Sequence, residues 1–358
     1  MAFSSAVPRA ASAALLFGLL SGSYAGAQTE RRVLSGNRVA IYNLAGRMRV
    51  QAGSGSEVAV EITRGGRDAG QLKIASGDIR GWQSLRVVYP SDRVVYPQKG
   101  YRSQTQIRVN DDGTFDDDGD HRLSGRNRVE IRDGGSGLEA HADIVVSVPR
   151  GQMVAVYSGV GETTVSNVDG DIRVSVAASS LTAEHTRGRL RLDTGSGSVS
   201  LTDAQGDVAL DTGSGTVTVN GVSGSSLNMD TGSGQIRASD IDVKTLKADV
   251  GSGGMRMTRV KAPRVNIDAG SGGVELEMLS LVDDLVVDAG SGGVTVRLPA
   301  ALSADVDIET GSGGVDSDFP VQTTRVEAHH LRGRIGDGHG RIRIESGSGS
   351  IRLIKGSS

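Results

Sequence analysis

Nine carboxylates stand two residues ahead of a recurring glycine position: Asp193, Asp211, Asp230, Asp249, Asp268, Asp288, Glu309, Glu327 and Glu345. Acids repeated at one offset can do two kinds of chemistry. Each can cap its own corner, accepting hydrogen bonds from the amides of the following Gly-Ser-Gly as an Asx turn does. Alternatively, the row can hold Ca²⁺ ions that bridge successive side chains. Stacked at about 4.8 Å, neighbouring unit charges repel by roughly 1 kcal/mol in bulk water, so something must offset the row. The offset to the glycine never varies, and the glutamates come only near the C-terminal end, which favours capping.

Three further sets could carry chemistry. His329, His330, Asp337 and His339 fall within eleven residues, and imidazoles with a carboxylate can hold a transition metal. They occupy the one repeat that has lost its glycine, so drift near the C-terminal end explains them more simply. The stretch DDGTFDDDGD at 111–120 puts Asp116, Asp118 and Asp120 at alternate positions. It is a weak metal candidate, lacking the glycine and distal glutamate of a standard calcium loop, and a solvated loop tip is the plainer reading. Trp82, Tyr89, Tyr96, Tyr101 and Phe115 are five of the eight aromatics beyond residue 27. Such side chains anchor interfaces, which makes them partner-binding candidates. The alternative is that they simply pack on the body of the protein.

Catalytic patterns are scarce. No Gly-x-Ser-x-Gly elbow occurs, and none of the Gly-x-Gly strings opens a helical pattern within a βαβ unit. A polysaccharide-acting β-helix enzyme is the serious enzymatic rival, and it needs paired carboxylates in a groove with aromatic platforms. The outward positions instead read Ser200, Thr218, Arg237, Arg256, Glu275, Thr295, Asp316 and Arg352, a mixed face with no aromatic row. We therefore expect a non-enzymatic protein without a cofactor.

The elements that must position these residues follow from a repeat. TGSGSVSL, TGSGTVTV, TGSGQIRA, VGSGGMRM, AGSGGVEL, AGSGGVTV, TGSGGVDS and SGSGSIRL share one template, with first glycines at 195, 213, 232, 251, 270, 290, 311 and 347. The steps are 18 to 21 residues except the last, 36, which reads as two coils of 18. Stepping back by 18 reaches Ala177 and Gly159, and residues 38–62 hold a further copy with its corner at Ala52–Gly55. Each period has two alternating stretches, such as Asp207–Asp211 and Thr216–Val219, with Val208, Leu210, Val217 and Val219 on one side. The prediction is an all-β, single-domain β-solenoid with 18–21-residue coils and Gly-Ser-Gly corners. About eleven coils stacked at one strand spacing make a rod on the order of 50 Å long. Residues 28–150 form an N-terminal β region with an irregular insertion at 64–128, and 151–358 form the repeat region.

Ahead of this, Arg9 is the only charge before Glu30, the apolar stretch spans Ala10–Leu20, and small residues stand at Ala25 and Ala27. That is a cleavable export signal, residues 1–27, and no later segment is apolar enough to anchor in a membrane. The mature chain would carry 38 basic and 42 acidic residues, with no basic concentration that would suggest a nucleic-acid partner. With no cysteine, stability must come from packing and backbone pairing.

The run GLEAHADIVVSVPRGQMVAVYSGVGETTVSNVDGDIRV at 137–174, followed by the serial TGSG segments, resembles the bacterial adhesin-type family of β-strand-repeat proteins, also called toastrack domains. The resemblance covers nearly all of the chain after residue 27, with 64–128 poorly matched. It implies an exported, repetitive β scaffold at the cell envelope, adhesive or tied to envelope-stress sensing, and it carries no catalytic residues to transfer. The expected function is to present a surface to a protein, a polysaccharide or another surface ligand. An envelope structural or signalling role comes next, and a polysaccharide-acting enzyme third.

Overall fold

The computed structural model describes residues 29–99, 103–115 and 127–356. The expected export signal, Tyr101, Asp116, Asp118 and Asp120 lie outside the described residues. Within them the chain is strands joined by turns and two single-turn 3₁₀ segments. None of its helices is long and apolar enough to cross a membrane.

The repeat folds as the solenoid its periodicity predicts. Two faces of mostly parallel strands enclose one core. Face A holds the strands that precede each Gly-Ser-Gly corner, and face B those that follow. The four strands Leu181–Ser196, Val199–Ser214, Val217–Thr231 and Ile236–Val250 each start on face B and finish on face A. Each turns between the faces at a left-handed residue, His185, Asp203, Gly221 or Asp240, where φ lies between 52° and 75°. Three of those four are not glycine, although a left-handed residue costs an L-amino acid about 1–2 kcal/mol.

Alternation decides what is buried. Val208, Leu227, Leu246, Val265 and Leu285 are register partners along face A. Val217, Ile236, Met255, Val274 and Val294 are partners along face B. All ten are buried in the one apolar core, and each such side chain contributes about 1.5–3 kcal/mol of transfer free energy. At the corners the coils approach too closely for side chains. A Cβ on Gly213 would come within 2.5 Å of the Gly195 carbonyl oxygen, and one on Gly215 within 2.1 Å of that of Gly197. The preceding threonines close the corner: Thr194, Thr212 and Thr231 donate to the carbonyls of Ser179, Gly197 and Gly215 at 2.9–3.1 Å.

Three expectations change. First, the 36-residue step is not two stacked coils. The strand Gly340–Ser346 lies between Asp284–Ala289 and Ala304–Thr310, parallel to both. The last coil in sequence is thus inserted beneath the one before it. Residues 322–335 form an antiparallel hairpin, Gln322–Glu327 with His330–Ile335, that covers the outer edge of Ala304–Thr310. Eighteen-residue spacing on both sides of Glu327 misled because a hairpin of similar length fits the same gap. Second, the first coil turns at Leu44–Gly46, not at Ala52–Gly55, since Gly46 lies directly beneath Gly161. Ala52–Gly55 follows the strand Met48–Ala52 and leads instead into the reversing strand Val58–Gly65. Third, the described parts of the insertion are built of strands. Lys73–Ile79 and Trp82–Val88 form a hairpin that extends face A beyond Arg38–Ala45. Arg93–Val95, Gln104–Val109, Asn127–Arg132 and Leu138–Glu139 make a separate four-stranded sheet.

At three of the four face ends an antiparallel pairing takes over from the parallel stack, the exception being Val315–Ser317 on face B. A parallel stack left open would offer its edge to any passing strand.

Candidate functional site

The acidic row forms, but for a different reason than capping. Asp193, Asp211, Asp230, Asp249, Asp268, Asp288, Glu345 and Glu309 are successive register partners on the outside of face A. Glu327 reaches this row only through the antiparallel hairpin, with His330 between it and Glu309. The first two amides of the central corners are already bonded to the next coil, and the third is taken in two later corners by a neighbouring hydroxyl, Thr310 for Gly313 and Ser346 for Gly349. Gly232 and Ser233 donate to the carbonyls of Thr212 and Gly213, and Gly251 and Ser252 to those of Thr231 and Gly232, at 3.0–3.2 Å. Stacking saturates these donors, which removes the expected Asx turns.

The row is neutralised at its C-terminal end and bare in the middle. Arg343 donates to Glu345 at 2.8 Å and feels Asp288 and Asp307 as well. His330 Nε2 meets Asp307 Oδ1 at 2.8 Å. Among the described residues, the side chains of Asp211, Asp230, Asp249 and Asp268 have neither a hydrogen-bond nor an ion-pair partner. Asp230 is held above the usual carboxylate range, by partial burial first and then by Asp211 and Asp249 on either side. These four line a shallow groove of about 450 Å³ beside a second outward row that includes Arg191, Asn228, Lys247 and Asn266, with Lys247 in register between the two asparagines.

Among the described residues no three histidine or acidic side chains converge as a metal site. The candidate histidines are dispersed. His329 Nδ1 lies 2.5 Å from the Gly313 carbonyl, His330 pairs with Asp307, and His339 Nδ1 is 3.0 Å from Ser303 Oγ. Their closeness in sequence reflects a hairpin that carries them to different places, not a shared centre.

The aromatic candidates point inward. Tyr89, Tyr96 and Phe115 are buried, and Trp82 packs partly buried against the same core with Arg38 above its ring. Tyr89 places its hydroxyl 2.9 Å from Asn43 Oδ1 and 2.8 Å from the Ala45 carbonyl, and its pKa is pushed upward by burial. Phe115 meets Tyr42 edge-on, and Tyr42 stacks on Tyr157 at 4.6 Å. Tyr89 and Phe115 sit in the core, Trp82 sits on the hairpin that extends face A, and Tyr96 borders a cavity, so these four do not form one exposed aromatic patch. The excess of aromatics in the insertion marks where two sheets must be joined.

That joining creates a concave site the sequence reading did not single out. A cavity of about 670 Å³ opens where the insertion meets the first corners of the rod. Arg47 closes one side: its amide donates to Asp143 Oδ1 at 2.8 Å, and its guanidinium forks onto Oδ2 at 2.7 and 3.0 Å. His141 lies across Gly65, where an added Cβ would come within 2.5 Å of Nε2. Its ring sits 5.3 Å from that of Tyr96. Burial lowers the His141 pKa, with Arg47 pushing the same way and Asp143 opposing. Burial raises that of Tyr96, helped by Asp143 and Glu162. At neutral pH the imidazole is thus neutral and the phenol protonated. Neither side chain has a hydrogen-bond partner among the described residues, and nor has Glu162, Ser179 or Ser180. Two cues were available in sequence: His141 and Asp143 on the outward phase of their strand, and Glu162 at a corner position where most coils place Gly, Ser or Thr.

A profile of the family described as Toastrack DUF4097 matches residues 94–353. The match begins inside the insertion and leaves out the first coil, although that coil stacks in the same rod. No curated protein matches the chain. Among solved structures, a Clostridium sporogenes ATCC 15579 protein described as a candidate for cell adhesion is 12% identical. The likeness covers 92% of this chain and 100% of that one, at a TM-score of 0.20, too low to transfer anything to residues or function.

Proposed function

The chain belongs to the Toastrack family, and from that premise we propose that it is an exported, non-enzymatic β-repeat scaffold whose outer face binds a cationic partner at the cell envelope or outside the cell. The observation that carries this is the bare centre of the acidic row. Four carboxylates stand in register at one coil spacing without a hydrogen-bond or ion-pair partner among the described residues, and the charged form of Asp230 is disfavoured by partial burial and by its two neighbours. Folding does not repay that repulsion, whereas a ligand with positive charges along an extended backbone would. A linear array suits a linear partner, such as a basic polypeptide segment or an amine-bearing polymer, and long-range attraction would speed its capture. The export half of the reading is supported by the apolar stretch Ala10–Leu20 and the small residues at Ala25 and Ala27.

The test replaces Asp211, Asp230, Asp249 and Asp268 together by Asn and measures retention on washed envelope fractions over a salt series. Wild-type retention should fall steeply as salt rises, and the variant should be retained weakly at every salt concentration. Equal retention of both proteins would end the reading.

A further inference from the structure

We propose that the cavity between Tyr96, His141 and Glu162 is a saccharide-binding site that takes a sugar ring with adjacent free hydroxyls and prefers an amino sugar. It lies at the opposite end of the rod from the C-terminal hairpin and does not depend on the acidic row.

The ligand class follows from what the lining offers. Arg47 is the one cation on the lining, and its fork is already occupied by Asp143. Glu162 adds a further negative charge, so a phosphate or carboxylate ligand would meet no free cation. Apolar lining is limited to small groups such as Val160 and Ala178, which gives a lipid or aromatic ligand little surface to bury. No three metal-ligating side chains converge among the described residues.

What remains is an alternation of donors and acceptors. The neutral imidazole has one N–H and one lone pair, the Tyr96 phenol and the hydroxyls of Ser179 and Ser180 can each donate and accept, and Glu162 accepts. Vicinal sugar hydroxyls do both in the same way. Tyr96 is the most telling group. It is 98% buried, at a relative exposure of 2%. Its hydroxyl has no hydrogen-bond partner among the described residues, and it lies close enough to Asp143, Arg47 and Glu162 to feel all three charges. The ring is buried, its hydroxyl is left open to hydrogen bonding, and Tyr96 lines the cavity, so a ligand seated there can pair with it. The volume suits one or two sugar rings. Glu162 supplies the preference for an amine, because the nearby Arg47 guanidinium is forked onto Asp143 and the Glu162 carboxylate accepts no hydrogen bond among the described residues.

The test is calorimetric titration of the full chain with glucosamine di- and trimers, with cellobiose as the neutral sugar and with glucuronic acid as the acidic one. The glucosamine oligomers should bind most tightly, cellobiose measurably, and glucuronic acid not at all. Tyr96→Phe should weaken both binding sugars about fivefold, the value of one neutral hydrogen bond. Glu162→Gln, on the rim and safe for folding, should erase the preference for glucosamine while leaving cellobiose unchanged. The quadruple Asp→Asn variant of the acidic row should bind the glucosamine oligomers and cellobiose as wild type does. The proposal is overturned if no sugar saturates the protein. It is equally overturned if glucosamine binding disappears with the acidic row yet survives both cavity substitutions.

Discussion

At the scale of single residues, the acidic row and the corner histidine make opposite demands on pH. Asp230 has a folded-state pKa above its unfolded value. Its ionisation therefore works against folding, with the loss appearing as pH rises through the folded pKa. Asp230→Asn should raise stability at pH 7 by a few tenths of a kcal/mol, at most about 1 after screening, and the gain should vanish below pH ~3.5. Paired urea titrations of the two proteins at both pH values decide this. A loss of stability at pH 7 would mean that the carboxylate accepts a bond after all. His141 is depressed instead, so its contribution is complete above the unfolded pKa of about 6.5 and is lost as pH falls through the folded value. Its ring faces Tyr96, Arg47 and Asp143. His141→Gln should flatten the decline in melting temperature between pH 7 and 5, and an unchanged slope would assign that decline to other groups.

At the scale of the element, the corner is the costly part to alter. Gly215→Ala would drive a methyl to within 2.1 Å of a carbonyl oxygen in the coil below, at a φ of 154°. Backbone there cannot move without disturbing its neighbours, so a loss of about 3 kcal/mol or more is expected. Gly134→Ala meets nothing within 4 Å and should leave the melting temperature within a degree or two. Similar effects of the two substitutions would mean that the coils are not stacked as described. Thr212→Val removes only the donor to the Gly197 carbonyl and should cost about 1 kcal/mol. The chain itself places Val250, Ala269 and Ala289 at equivalent positions, so the corner survives without the hydroxyl. The repeat was legible because glycine is compulsory where backbones nearly touch. The Asx caps were not, because an amide already bonded to the next coil looks the same in sequence as a free one.

At the scale of the whole molecule, the inserted last coil makes the C-terminus structural. Removing residues 339–358 from a simple rod would strip one end. Here it withdraws the coil between Asp284–Ala289 and Ala304–Thr310 and leaves both faces of the gap unpaired. The truncated chain should melt many degrees lower and expose its segment 299–338 to protease, with digestion stopping near residue 298. A truncated protein that melts with the wild type would show that the coils stack in sequence order after all.

The sequence by itself determined the coil. A side-chain period of two, a glycine wherever stacked backbones approach within van der Waals distance, and a chain period near 18 residues leave one local solution, repeated. Local chemistry also placed Asp193 through Asp288 in one outward row, because register in a parallel stack follows from chain length per coil. The order of the last coils, the burial of Tyr89, Tyr96 and Phe115, and the cavity around His141 were decided only by tertiary structure. In each case the deciding contact joins segments with no common period. An inserted strand and a capping hairpin fit the same 36-residue gap as two coils. An aromatic that anchors a partner has the composition of one that welds a small sheet to a rod. The cavity draws Arg47, Tyr96, His141 and Glu162 from four separate strands and turns, and their approach is set by how the insertion closes over the first corners.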